Sequence, residues 1–235
     1  MIPWLESPTG FPDTELALTE PNGLLCAGGD LEAATIIAAY SRGIFPWFSD
    51  DQPILWWSPD PRMVLFPAEF KVSKSLAKTV KSRKFETRFD TAFTAVIAGC
   101  AAPRDPDGGT WIVPEMQEAY IRLHQLGIAH SVESWIPGEN GDELSGGLYG
   151  IALGRMFFGE SMFTRSTDGS KVALVALVDK LRRDGFELID CQQQTRHLAS
   201  FGARPIPRRD FVRRLKELIN LGPSASCWRE ENDQA

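Results

Sequence analysis

The stretch Glu143-Leu-Ser-Gly-Gly-Leu-Tyr-Gly-Ile-Ala-Leu-Gly-Arg-Met-Phe-Phe-Gly-Glu-Ser-Met-Phe163 constrains this chain more than any other. It reads as two apolar strands interrupted by Gly146, Gly147, Gly150, Gly154 and Gly159. Glycine inside a strand marks a bulge or a close approach by another backbone or a ligand. One acid, Glu160, lies inside the apolar run. A glycine-kinked hairpin with an exposed turn is the plain reading, and the wall of a binding cleft is the functional one.

The flanking sequence turns this stretch into part of a meander. His130 to Ile136 alternates as a strand, and Pro137 to Asp142 is a turn rich in glycine and acid. After the meander, Ser170 to Arg183 carries apolar residues at helical period and is expected to be capped by Asp168 or Ser170. The first N–H groups of such a helix, beside glycine-rich strands, offer a place for an anion or a polar ligand. Gly185 ends the helix, Glu187 to Asp190 is a short strand, and Asp190-Cys-Gln192 lies at its C-terminal edge.

Upstream, residues 1 to 29 are irregular, and Asp30 opens a short helix over Leu31 to Arg42 with Leu31, Ala34, Ile37 and Ser41 on successive turns. Phe45, Trp47, Phe48 and Trp56 suit either the core or an aromatic wall facing a ligand. Phe85 to Asp90 alternates as a strand, Thr91 to Ala101 is helical, and a helix starts at Pro114, the favoured first position, and runs to about Leu126. Arg208 to Leu221 forms the last helix, and the tail from 223 to 235 is polar and expected to be disordered. The pattern predicts an α+β fold with a mixed, mostly antiparallel sheet.

The net charge of −6 excludes a protein that coats nucleic acid over its whole surface, but it hides a local patch. Between residues 71 and 88, Lys71, Lys74, Lys78, Lys81, Arg83, Lys84 and Arg88 face one acid, Glu86. A helix started by Ser73 lines most of the lysines along one side and gives Leu76 and Val80 to the core. Such a face is either simply solvated or a contact for a phosphate backbone. The N-terminus has no secretion signal, and no apolar run reaches the roughly 20 residues of a membrane helix, so a cytosolic protein is expected. Cys26, Cys100, Cys191 and Cys227 are far apart and read as reduced thiols; His124, His130 and His197 have no metal-ligand spacing, so no metal site is expected.

Six motifs occur in order: Pro21-Asn-Gly-Leu-Leu25, Gly28-Gly-Asp30, Gly43-Ile-Phe-Pro-Trp47, Trp56-Trp-Ser-Pro-Asp-Pro-Arg62, Phe158-Gly-Glu-Ser-Met-Phe163 and Leu188-Ile-Asp-Cys-Gln192. In these the chain closely resembles the bacterial leucyl/phenylalanyl-tRNA–protein transferase family from about Pro21 to about Phe211. The resemblance implies a small N-terminal domain, residues 1–66, followed by a GNAT-like (acetyltransferase-like) domain, residues 67–222, working without metal or coenzyme. The implied reaction moves leucine or phenylalanine, less readily methionine, from aminoacyl-tRNA to the N-terminal Arg or Lys of a protein, marking it for degradation.

By the same resemblance Asp190 and Gln192 are the catalytic pair, with the carboxylate holding the incoming amine and the amide orienting it. Leu148, Phe157, Leu177 and Ile189 line the pocket for the transferred side chain, with Glu160 at its charged edge and close to the aminoacyl end. Trp47 and Trp111 lie near the terminal adenosine. Lys71, Lys74, Lys78, Lys81, Arg83 and Lys84 are the candidate tRNA contact, with Arg208 and Arg209 as candidates to join it. Leu148 and Leu177 stand where the family can hold methionine and phenylalanine, and Asp168-Gly169 departs from its pattern. Two other readings compete: a coenzyme-A-dependent N-acyltransferase, against which stands the lack of a pyrophosphate-cradling loop, and a non-catalytic reader of basic N-termini.

Overall fold

The computed structural model describes residues 2–103, 110–139, 141–221 and 228. Two sheets organise the chain. The first has four strands, β1 (Trp4–Leu5), β2 (Leu24–Gly28), β3 (Phe45–Pro46) and β4 (Leu55–Trp57), in the order β1-β2-β4-β3. Helix α1 (Ala33–Tyr40) joins β2 to β3. Its approach is set by Asp30, whose carboxylate accepts from the Glu32 N–H and the Thr35 hydroxyl. The buried stripe of α1 is Thr35, Ile36, Ala39 and Tyr40, so the side expected inward is rotated: Ala34 is exposed. Of the four early aromatics, Phe45, Phe48 and Trp56 are core, whereas Trp47 is 38% exposed.

The second sheet has seven strands in the order β11-β5-β10-β9-β8-β7-β6. They are β5 (Arg62–Leu65), β6 (Glu86–Phe89), β7 (Ala129–Gly138), β8 (Gly141–Leu153), β9 (Met156–Thr164), β10 (Leu188–Gln192) and β11 (Arg204–Ile206). All neighbours are antiparallel except β9 and β10, which run parallel in the register Leu188↔Met156 to Asp190↔Phe158. The mixed, mostly antiparallel sheet is therefore as the pattern predicts. β5 follows the first sheet directly in sequence yet pairs in the second, between β10 and β11.

A parallel pair needs a crossover, and α5 (Gly169–Arg183) provides it between β9 and β10. Its Val172, Leu174, Leu177, Val178 and Leu181 pack on one sheet face with Leu148, Phe157 and Ile189. Helices α3 (Phe93–Ala101) and α4 (Pro114–Gln125) cover the other face, on Tyr149, Ile151 and Phe158. Gly146 permits the close contact with α5: a Cβ there would lie 2.7 Å from Ser170 N. That packing also closes the anion site expected at the start of α5. Nor does Asp168 cap it; with φ +69° its side chain instead takes Lys171 Nζ at 2.8 Å and the Thr79 hydroxyl at 3.3 Å.

Helix α2 (Lys74–Lys81) begins at Ser73, whose hydroxyl accepts from Leu76 N at 3.2 Å. Leu76 is buried, but Val80 is exposed, because a helix of two turns lying flat on the surface sends only one row inward. Helices α6 (Arg196–Ser200) and α7 (Arg208–Leu218) complete the chain. The tail expected over 223–235 lies outside the described residues apart from Trp228, which is buried and stacked on His130 at 4.1 Å. Among the described residues no helix is long and apolar enough to cross a membrane.

Candidate active site

A cleft of about 580 Å³ opens where β9 and β10 run parallel. Its deep wall is apolar: Leu148, Phe157, Leu177 and Ile189 line it, all from the predicted set. Trp47 and Trp111 stand at it too, as do Glu160 and Gln192. The strand kink that makes room is the irregularity between Tyr149 and Gly150, opposite Gly159. Gly150 is obligatory there, since a Cβ would lie 2.1 Å from the Phe158 carbonyl oxygen. His197, Thr195 and Leu198 form part of the rim, so His197 is a cleft residue, with burial holding its imidazole below the usual range.

The polar end is a chain of hydrogen bonds. Gln192 adopts φ +57° and donates from Nε2 to Glu160 Oε1 at 2.8 Å. The other Glu160 oxygen accepts from the Tyr120 hydroxyl at 3.0 Å, and the Tyr120 and Tyr40 hydroxyls lie 2.6 Å apart. Burial pushes the Glu160 carboxyl up to about 7; the Tyr40 and Tyr120 hydroxyls and the Gln192 amide pull it down, and the charge of Asp190 adds to the rise. Burial, with Glu160 nearby, also raises Tyr40, Tyr120 and Tyr149 well above the phenol range, so all three keep their protons at neutral pH.

Asp190 does not reach the cleft. It is wholly buried, and Arg62 donates to both its oxygens, from Nε at 2.8 Å and Nη2 at 2.7 Å. Its Oδ1 also accepts from the Gln192 backbone N–H at 2.9 Å, a bond that helps hold the left-handed turn at Gln192. The carboxylate, expected from the motif to meet the incoming amine, is thus not among the cleft-lining residues, whereas Gln192, to which it is bonded, is. Arg62 itself donates to the Gly43 carbonyl and lies over the rings of Phe45 and Phe211, so its charge is held on every side. The intervening Cys191 faces the cleft with its thiol raised by burial.

Lys71, Lys74, Lys78, Lys81, Arg83 and Lys84 are exposed along α2 and its flanks, outside the cleft lining. The patch nevertheless begins near the rim: the Lys71 N–H bonds the Phe201 carbonyl at 2.9 Å, just beyond α6, which carries His197 and Leu198. Arg62, Tyr40 and Tyr120 are site residues for which sequence reasoning gave no role. A signal existed for Arg62, at the end of the Trp56–Arg62 motif, since a buried aspartate requires a cation. The tyrosines lay on helices whose inward faces only packing defines.

A mixed α+β fold whose apolar cleft ends on a hydrogen-bonded carboxyl–amide pair suits an enzyme that holds an apolar acyl group beside a polar centre, and the relatives of this chain are transferases. Residues 64–216 match the family model described as leucyl/phenylalanyl-tRNA protein transferase, and residues 29–60 match the N-terminal domain of the same family. The chain is 59% identical to a leucyl/phenylalanyl-tRNA–protein transferase of Aromatoleum aromaticum, over 97% of this chain and 94% of that one. It is 60% identical to the protein of that name from Nitrosomonas europaea, over 97% and 95% of the two chains. A solved structure, that of L-PGS from Bacillus licheniformis, is a remote likeness at TM-score 0.39 and 11% identity, covering 79% of this chain and 62% of that one. This chain belongs to the leucyl/phenylalanyl-tRNA protein transferase family.

Proposed function

We propose that this protein transfers leucine or phenylalanine, less readily methionine, from the 3′ end of aminoacyl-tRNA to the N-terminal Arg or Lys of an acceptor protein. The new N-terminal residue is a degradation signal, and the substrates place the reaction in the cytoplasm. The observation that carries this reading is the Gln192 amide, fixed by Glu160 at the mouth of a cleft with an apolar wall. The chemical work is done on a GNAT-like domain, residues 67–222, which follows an N-terminal unit, residues 1–66, that lends β5 to the larger sheet. The parallel β9–α5–β10 crossover beside an antiparallel meander, with the cleft on that pair, supports the GNAT-like assignment.

The reaction is aminolysis of an ester. The acceptor nitrogen attacks the aminoacyl carbonyl carbon, a C–N bond forms, the C–O bond to the ribose breaks, and the amine proton leaves with the ribose oxygen. An α-amino group, with a reference pKa of about 7.7–8.0, is partly neutral at pH 7, so orientation supplies much of the rate. With Nε2 committed to Glu160, the Gln192 Oε1 is free to accept an N–H of the amine and aim its lone pair. Asp190, paired with Arg62, acts from behind by fixing the Gln192 backbone.

Leu148, Phe157, Leu177 and Ile189 receive the transferred side chain, and Trp47 and Trp111 the terminal adenosine. A β-branched donor side chain would crowd the carbonyl. The exposed lysines from Lys71 to Lys84 with Arg83 carry the tRNA backbone. Incubating the protein with an Arg-initiated peptide and leucyl-tRNA, then weighing the peptide, tests the reading. A gain of one leucine residue is expected; binding without any adduct refutes it in favour of a non-catalytic reader.

A further inference from the structure

The deepest part of the polar chain has no place in the reaction described so far. Tyr40 comes from α1, on the side of the four-stranded sheet, and Tyr120 from α4; their hydroxyls meet at 2.6 Å within the core. Neither tyrosine lines the cleft. Two phenols placed in contact inside an apolar core must satisfy each other and one further acceptor, and that acceptor is Glu160 Oε2. Tyr40 packs edge-on against Phe158 at 5.1 Å, and Tyr120 against Tyr149 at 5.4 Å, so both rings are fixed.

We propose that Tyr40 and Tyr120 are positioning residues: their hydroxyl pair favours the charged form of Glu160, and the carboxylate in turn holds the Gln192 amide with its oxygen toward the cleft. The inference rests on the role given above to Gln192. A carboxylate only accepts, so it binds the NH2 end of an amide and leaves the carbonyl end outward; a protonated carboxyl can donate, and then the amide is free to turn its oxygen inward. Charge on Glu160 therefore selects which end of Gln192 the acceptor amine meets.

The groups facing Glu160 all bear on that charge. Tyr40 of α1 and Tyr120 of α4 favour it by donation, as does Gln192 of β10; Asp190 of β10 opposes it, though Arg62 of β5 pairs with that aspartate. Tyr149 of β8 is buried nearby, and its hydroxyl has no hydrogen-bond partner among the described residues. Among the described residues the hydroxyl donors to Glu160 are the tyrosine pair, and they act from outside the cleft. Helix α1 thus contributes to the reaction centre without touching substrate.

The test is Tyr40→Phe and Tyr120→Phe, which keep both rings. The Glu160 carboxyl is followed by 13C NMR through a pH series, and transfer of leucine to one Arg-initiated peptide is measured over the same range. With the same acceptor throughout, its own ionisation cancels in the ratio of variant to wild type. The Glu160 midpoint is expected to rise by about one pH unit in the variants, and the transfer ratio to fall about five-fold near pH 7 and return toward one above pH 9, with a one-unit shift corresponding to about 1.4 kcal/mol. An unchanged NMR midpoint, or a ratio that is low but flat with pH, overturns the inference. A wild-type protein that transfers nothing refutes the proposed function, while the NMR series still decides whether the tyrosines hold the charge.

Discussion

Replacing Arg62 by methionine probes the support beneath Gln192. Arg62 and Asp190 are both wholly buried, and their two short bonds join β5 to β10 across the sheet. Removing one partner of such a pair costs about 3–5 kcal/mol, because it leaves a buried charge without compensation. For a chain of this size each kcal/mol lowers Tm by roughly 2–4 °C, so Arg62→Met is expected to lose on the order of 6–20 °C. Replacing both partners removes both charges, which is often neutral or stabilising. In Arg62→Met/Asp190→Leu the remaining deficits are the Gln192 N–H that bonded Asp190 and the Gly43 carbonyl that accepted from Arg62, at about 1–3 kcal/mol each, the second being shared with Arg62→Met. The double variant is therefore expected to unfold at a higher denaturant concentration than Arg62→Met, with an unchanged slope, and yet to transfer as poorly. A displacement of about 1 Å in an orienting group can cost on the order of 100-fold in rate. Urea unfolding with leucine transfer on the same preparations decides it. A double variant no more stable than the single would refute the argument from buried charge, and wild-type transfer by either would refute the positioning of Gln192 through Asp190.

Changing Lys74, Lys78 and Lys81 together to alanine is expected to raise the KM for leucyl-tRNA, flatten its salt dependence, and spare a minimal aminoacyl-adenosine donor; equal loss with both donors would remove α2 from the tRNA contact. Leu177→Ala enlarges the cleft wall and is expected to shift the kcat/KM ratio toward phenylalanine roughly 10-fold, the scale set by a missing methylene or two; an unchanged ratio would place the side chain elsewhere. Gly150→Ala forces a Cβ to 2.1 Å from the Phe158 carbonyl, so thermal unfolding should show marked destabilisation, with the glycine merely tolerated if it does not. Glu160 supplies a pH test of stability. Its folded value of about 7 lies above the ordinary 4.5, so its contribution to the fold is full below about 4.5 and is lost as pH rises through about 7. Glu160→Gln should accordingly unfold at a higher temperature than wild type at pH 8 while transferring less, and the stability gain should vanish at pH 5.

What the sequence disclosed follows from how local each signal is. The Ser73 cap, the Pro114 start and the alternation through β7 to β9 are set by neighbours along the chain, and they appear where the residues put them. Of the cleft lining, Glu160, Ile189 and Gln192 stand in motifs, and strand alternation sends Ile189 into the same space as Phe157 and Leu148; Gln192, three residues on, would by alternation face the other way and lines the cleft only through the irregularity after Asp190, where it takes φ +57°. Legibility stopped where a contact spans the chain. Arg62 and Asp190 are 128 residues apart, and Tyr40 and Tyr120 are 80 apart. For α1, apolar period alone put Leu31, Ala34 and Ile37 on one side; Leu31 is buried and Ile37 packs on the core, but Ala34 is exposed and the fully buried face is the one containing Tyr40. A tyrosine is amphipathic, so hydropathy ranks it below alanine and isoleucine on a short helix; its burial depends on a second hydroxyl that the local sequence does not contain. The same logic explains Asp190. In the motif it stands as an acid at a strand end, free to meet substrate, and the neighbouring antiparallel strand, β5, supplies the arginine that turns it inward. Tertiary pairing thus turns the charged member of Asp190-Cys-Gln192 away from the cleft and leaves the neutral one lining it, and in the proposed reaction a neutral amide that must point one way requires the charged neighbour, Glu160, to set its direction.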